Sequence, residues 1–143
     1  YIYDIFPRVD RYDPIAIIFA PHDIQEGGWA MAKLRIMYWK EIPIQVQAED
    51  AEETISMELA PKFQQAADAI SMLDGSAGSD EYLDGWNWGE YFEVIGNASE
   101  ALKGHADMIN SKMPKDFVKR ISNLFKQGDR IPKPGSIDHW LEE

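Results

Sequence analysis

The sequence contains no cysteine. That single absence excludes disulfides, iron–sulfur clusters, thiolate zinc sites and cysteine nucleophiles together. Histidine is scarce: His22, His105 and His139 stand far apart, so no pair has the three- or four-residue spacing that places two ligands on one helix face. No apolar run is long enough to cross a bilayer, and the run at residues 15–20 is confined between Pro14 and Pro21. Basic residues are few, 14 Lys and Arg against 25 Asp and Glu, for a formal net charge of −11. A field of that sign repels phosphate and argues against nucleic acid as a partner. The loop at residues 74–80 lacks the alternating oxygen ligands and closing glutamate of a calcium loop. Gly27-Gly28 marks a hinge rather than a nucleotide motif. These absences leave no catalytic residue, metal or cofactor to expect.

What is present suits one folded domain. A chain of 143 residues, 45% hydrophobic and 12% aromatic, has the apolar content to build a core. Its charge is uneven. Residues 49–107 carry fourteen acids against Lys62 and Lys103, whereas residues 112–133 carry seven bases against Asp116 and Asp129. The basic stretch reads as a solvated helix face, or as a helix that docks on the protein's own acidic half.

Period-two alternation marks three strands, at residues 33–40, 44–48 and 55–59, which predicts an antiparallel meander. Pro61 suits a first helical turn, and Phe63, Ala66, Ala67, Ile70 and Leu73 form one apolar stripe. A short turn at 80–84 leads into a segment, 86–95, that reads as one strand. Asn97 and Glu100 predict a capping box at the head of a helix carrying Ala98, Ala101, Leu102, His105, Met108 and Ile109 on one side. His105 on that stripe reads as a core histidine. The same cap explains Asn97-Ala98-Ser99 without glycosylation. Pro114 opens a last helix, and Gly128 closes it. The expected fold is therefore α+β, with a small antiparallel sheet of three to four strands against two to three helices. Residues 1–30 form an extended aromatic arm, 31–128 the compact domain and 129–143 a tail.

In this order stand RIMYWKEIPIQVQA, SMELAPKFQQAADAISM and DEYLDGWNWGE. They resemble a small bacterial family, the conserved virulence factor domain, over residues 33–107, with extensions at both ends. The resemblance rests on Tyr38, Trp39, Glu41, Ile42, Pro43, Gln45, Glu58, Leu59, Phe63, Tyr82, Leu83, Trp86 and Trp88. It implies no catalytic residues, and an association with folate-linked, one-carbon enzymes is the one biochemical hint it adds.

Five tryptophans are more than a small sheet hides in one core, and tryptophan and tyrosine favour interfaces. The sequence therefore predicts a non-catalytic accessory subunit of a hetero-oligomeric protein assembly. Its partner-binding residues would be Tyr3, Phe6, Ile17 and Phe19 in the first arm, Trp39, Trp86 and Trp88 on the domain, and Trp140 and Leu141 in the tail. The alternative is a small enzyme or ligand-binding domain of one-carbon metabolism. Its pocket would be lined by Trp39, Trp86 and Trp88, with Lys40, Glu41 or Glu90 as polar contacts. Lys40 and Glu41, at the bend before Pro43, are expected to be solvated. A start at Tyr1 suits a processed chain, and the expected setting is a soluble one, the mitochondrial matrix or a bacterial cytoplasm.

Overall fold

A computed structural model describes residues 30–143. Tyr3, Phe6, Ile17 and Phe19 lie outside the described residues. Strands β1 (Met31–Trp39), β2 (Ile42–Glu49) and β3 (Thr54–Glu58) form the expected meander. Helices α1 (Pro61–Leu73) and α2 (Asp80–Asp84) follow, then strands β4 (Trp86–Trp88) and β5 (Phe92–Ile95). Helices α3 (Ala98–Lys112) and α4 (Phe117–Gln127) and a 3₁₀ helix (Asp138–Glu142) complete the chain. The sheet is antiparallel and five-stranded, in the order β3-β2-β1-β4, with β5 also paired to β1.

Alternation decides which side of the sheet is dry. Ala32, Leu34, Ile36 and Tyr38 of β1 and Val46 and Ala48 of β2 face one way and are buried. Phe63, Ala66, Ala67 and Ile70 of α1, Leu102 and Ile109 of α3, and Phe117 and Ile121 of α4 join them in one core. The rings of Phe63 and Phe117 meet at 5.4 Å between centroids, which ties α1 to α4.

The expected single strand at 86–95 is two strands, and one extra residue is the reason. Met37 pairs with Trp88 and Leu34 with Phe92, so three steps on β1 face four on the partner. The surplus at residues 89–91 is a β-bulge, and it reverses the side-chain alternation. Trp86 and Trp88 consequently share the side of Met37, whereas Phe92 and Val94 turn to the core side of Leu34 and Ala32. Gly89 sits in the bulge, where a Cβ would come within 2.8 Å of the Tyr38 ring.

The head of α3 is held twice. Asn97 and Glu100 make both bonds of the capping box, and Asp50 in the β2–β3 turn accepts from the Ala98 amide at 2.8 Å. The Asp50 carboxyl is held below its ordinary pKa by the amides of Ala98, Glu52 and Glu53. Asn97→Ala is expected to cost about 1 kcal/mol in thermal unfolding, with the fold retained through Asp50.

The C-terminal tail departs from expectation. Residues 129–143 return to the domain: Ile137 and Trp140 are buried in the core and Leu141 packs against it. No helix among the described residues is long and apolar enough to cross a membrane.

Candidate functional site

The β1–β2 hairpin turns on two residues, Lys40 and Glu41. Lys40 takes φ of 52°, a left-handed conformation uncommon for a side-chain-bearing residue. Its amide donates to the Gly85 carbonyl at 2.7 Å, which holds the strained turn against the loop before β4. Neither side chain is solvated, contrary to the expectation for a polar bend: Lys40 is 8% exposed and Glu41 1%.

Both are buried because their charges are matched. Lys40 Nζ donates to Asp74 Oδ2 at 2.8 Å and to Glu81 Oε2 at 2.7 Å. Arg130 grips Glu41 with Nε and Nη2, at 2.7 and 2.8 Å, and Asp74 Oδ2 with Nη1 at 2.8 Å. The result is a chain of alternating sign, Glu81–Lys40–Asp74–Arg130–Glu41, drawn from the hairpin, the end of α1, α2 and the tail. Burial pushes the Asp74 carboxyl up, but hydrogen bonds from Lys40, Ser76 and Arg130 outweigh it and hold the group well below the usual carboxylate range. Burial likewise disfavours the Arg130 cation, and Glu41 and Asp74 more than restore it. Every buried charge in this network is paired with another, so it serves as a clasp between hairpin and tail.

A second cluster lies on the core side of β1. The Tyr38 hydroxyl donates to Asp138 Oδ2 at 2.7 Å, joining the strand to the terminal 3₁₀ helix. Burial, then the Asp138 charge and hydrogen bond, pushes the phenol far above its ordinary pKa. Burial also pushes the Asp138 carboxyl up, partly offset by the Tyr38 bond and by His139. Beside this pair opens a cavity of about 490 Å³, bordered by β1, the bulge, α3 and the 3₁₀ helix.

The sheet face opposite the helices is the third feature. Arg35 lies over the rings of Trp88, 3.9 Å from its centroid, and Tyr91, 4.8 Å away. Gln47 accepts from Arg35 Nε at 2.7 Å and fixes the stack to β2. Tyr91 is 48% exposed.

A family model described as virulence factor matches residues 37–121, more than half of the chain. The chain belongs to the virulence factor family. No curated protein and no solved structure matches it. The family region runs from inside β1 to the buried Ile121 of α4, further than the resemblance at 33–107 reached. It contains Tyr38, Lys40, Glu41 and Asp74, while Arg130 and Asp138 come from beyond its end. In this member of the virulence factor family, then, the tail supplies the partners that bury the hairpin's polar groups.

The expected site residues scatter. Trp39 is wholly buried, its Nε1 donating to the Tyr82 carbonyl at 2.9 Å, and Trp140 is 7% exposed. Neither ring offers a surface to a partner in this conformation. Trp86 is half-buried against Tyr82 in an edge contact at 6.1 Å. Trp39, Trp86 and Trp88 do not converge on one pocket: Trp88 and Glu90 border the cavity, while Lys40 and Glu41 belong to the clasp. His105 is buried on α3, its ring 5.0 Å from that of Phe92. Among the described residues no group of His, Asp and Glu has the geometry of a metal site. Sequence reasoning missed Asp74, Arg130 and Asp138. The signal that pointed towards them was a Lys-Glu pair enclosed by Trp39 and Ile42, too apolar a setting for an unmatched solvated turn.

Proposed function

We propose that this domain is a non-catalytic docking module, which binds another protein subunit through the open face of its sheet. The observation that carries the proposal is the Trp88–Arg35–Tyr91 stack on that face. Among the described residues, helices α1, α3 and α4 occupy the opposite face, and α2 packs at the Trp39 end of this one. Tryptophan, tyrosine and arginine are the residues that most often dominate binding at protein interfaces. Here they are pre-organised by Gln47 and by neighbouring strands, so little side-chain freedom remains to be lost on association.

The test uses the full chain in native extracts of its own cells. Wild-type protein is expected in a particle well above its own mass of 16.4 kDa. A Tyr91→Ala, Arg35→Ala double variant, which alters partly exposed positions and keeps the core, is expected to run as the free chain. A wild-type protein that runs at its own mass, or a double variant that assembles normally, overturns the proposal.

A further inference from the structure

Two carboxylates are enclosed within the described fold, Glu41 and Asp74, and a third, Asp138, is half-buried. The first two are matched by Arg130 and Lys40. Asp138 is not: no lysine or arginine among the described residues lies within ion-pair distance of it, and its bonded partner is the neutral Tyr38 phenol. That bond engages Oδ2 and holds the carboxylate in one orientation. What adjoins Asp138 in place of a cation is the cavity of about 490 Å³. Its size is that of a small-molecule site.

The lining of the cavity defines what would suit it. Glu90 and Glu142 stand with Asp138 on its border, and among the described residues no lysine or arginine does. Its remaining walls are largely apolar, with Ile36, Phe92 and Leu141 among them. Such a space repels anions and favours a cation with an apolar body over a neutral ligand of the same shape. We infer that this cavity binds a small protonated amine on a compact apolar or aromatic body, with Asp138 as its counter-ion and Tyr38 as the residue that orients Asp138.

The partly desolvated carboxylate makes the site sensitive to pH in a defined direction. Asp138 must be ionised to pair with the ammonium, and its pKa is raised in the free protein. Binding therefore expels a proton from Asp138, and affinity falls as the solution is acidified. The groups facing the cavity or Asp138 are Tyr38 of β1, Glu90 of the bulge, His105 of α3, and His139 and Glu142 of the 3₁₀ helix. Loss of the dependence on removing Asp138 assigns it among them.

The inference does not rest on the docking face, which shares only Trp88 with the cavity's border. It is tested by calorimetric titration of the full chain with benzylamine, benzyl alcohol and benzoate, three probes of similar size and different charge. Benzylamine is expected to bind about tenfold or more tightly than benzyl alcohol, and benzoate not to bind. Its affinity is expected to rise with pH, as Asp138 gives up its proton. Asp138→Asn keeps an acceptor for the Tyr38 hydroxyl and so keeps the fold, which thermal unfolding verifies. In that variant the preference for the amine and its pH dependence are both expected to vanish. Equal binding of amine and alcohol, no binding of benzylamine, or full amine affinity in folded Asp138→Asn each overturns the inference.

Discussion

Arg130→Ala is expected to destabilise the fold by about 3–5 kcal/mol, measured by urea unfolding at pH 7. The guanidinium is 6% exposed and answers two carboxylates, Glu41 at 1% and Asp74 at 5% exposure. Removing it strands Glu41 without a partner and leaves Asp74 with Lys40 alone. Arg130→Lys is expected to recover only part of the loss, because an ammonium cannot reproduce the two parallel bonds to Glu41. Replacing Glu41 and Arg130 together by methionine is expected to cost much less than Arg130→Ala, since no uncompensated charge then remains buried. The acid limb of stability follows from Asp74. Its pKa is lowered in the folded state, so it stabilises the fold above the ordinary carboxylate pKa of about 3.9. That contribution is lost as pH falls through the lowered value. A cost below about 1 kcal/mol for Arg130→Ala, in the range of a surface pair, would show that the clasp does not hold the tail.

Trp39→Ala ranks beside it, at about 3–5 kcal/mol, by a different mechanism. The indole is fully enclosed, lies 5.5 Å from the Tyr82 ring and donates to the Tyr82 carbonyl. Its deletion opens a large cavity and leaves a buried acceptor unanswered. Trp39→Phe retains most of the volume and loses the donor, so a smaller cost of about 1–2 kcal/mol is expected. The surroundings cannot close on the vacated space easily, because the wall nearest the ring is backbone. At Gly85 a Cβ would come within 2.7 Å of Trp39 Nε1. If Trp39→Ala costs no more than Trp39→Phe, the indole is not packed as described.

Much of this architecture was legible where the determinants are local. The meander announced itself through alternation in β1 and β2, the α3 head through Asn97 and Glu100, and the end of α4 through Gly128, which takes φ of 80°. The bulge was hidden, because Trp86, Trp88, Glu90, Phe92 and Val94 alternate without a break. Only pairing with β1 reveals that the first two and the last two face opposite ways. The burial of Lys40 and Glu41 was hidden for another reason. Their partners lie 34 and 89 residues away, and Asp138 stands 100 residues from Tyr38. Periodicity carries no information about contacts at that range. Trp140 misled for the same reason: an aromatic in a proline-punctuated tail looks like an anchor for a partner until the tail is seen to fold back.

The separation between Glu41 and Arg130 also sets the order of events as the chain is made. Glu41 leaves the ribosome 89 residues before the group that neutralises it. Throughout that interval the hairpin carries a carboxylate whose counter-charge has not yet been made. The domain therefore reaches its full stability only once residue 130 has emerged. A chain halted before that point is expected to be cut by proteases faster than the complete one.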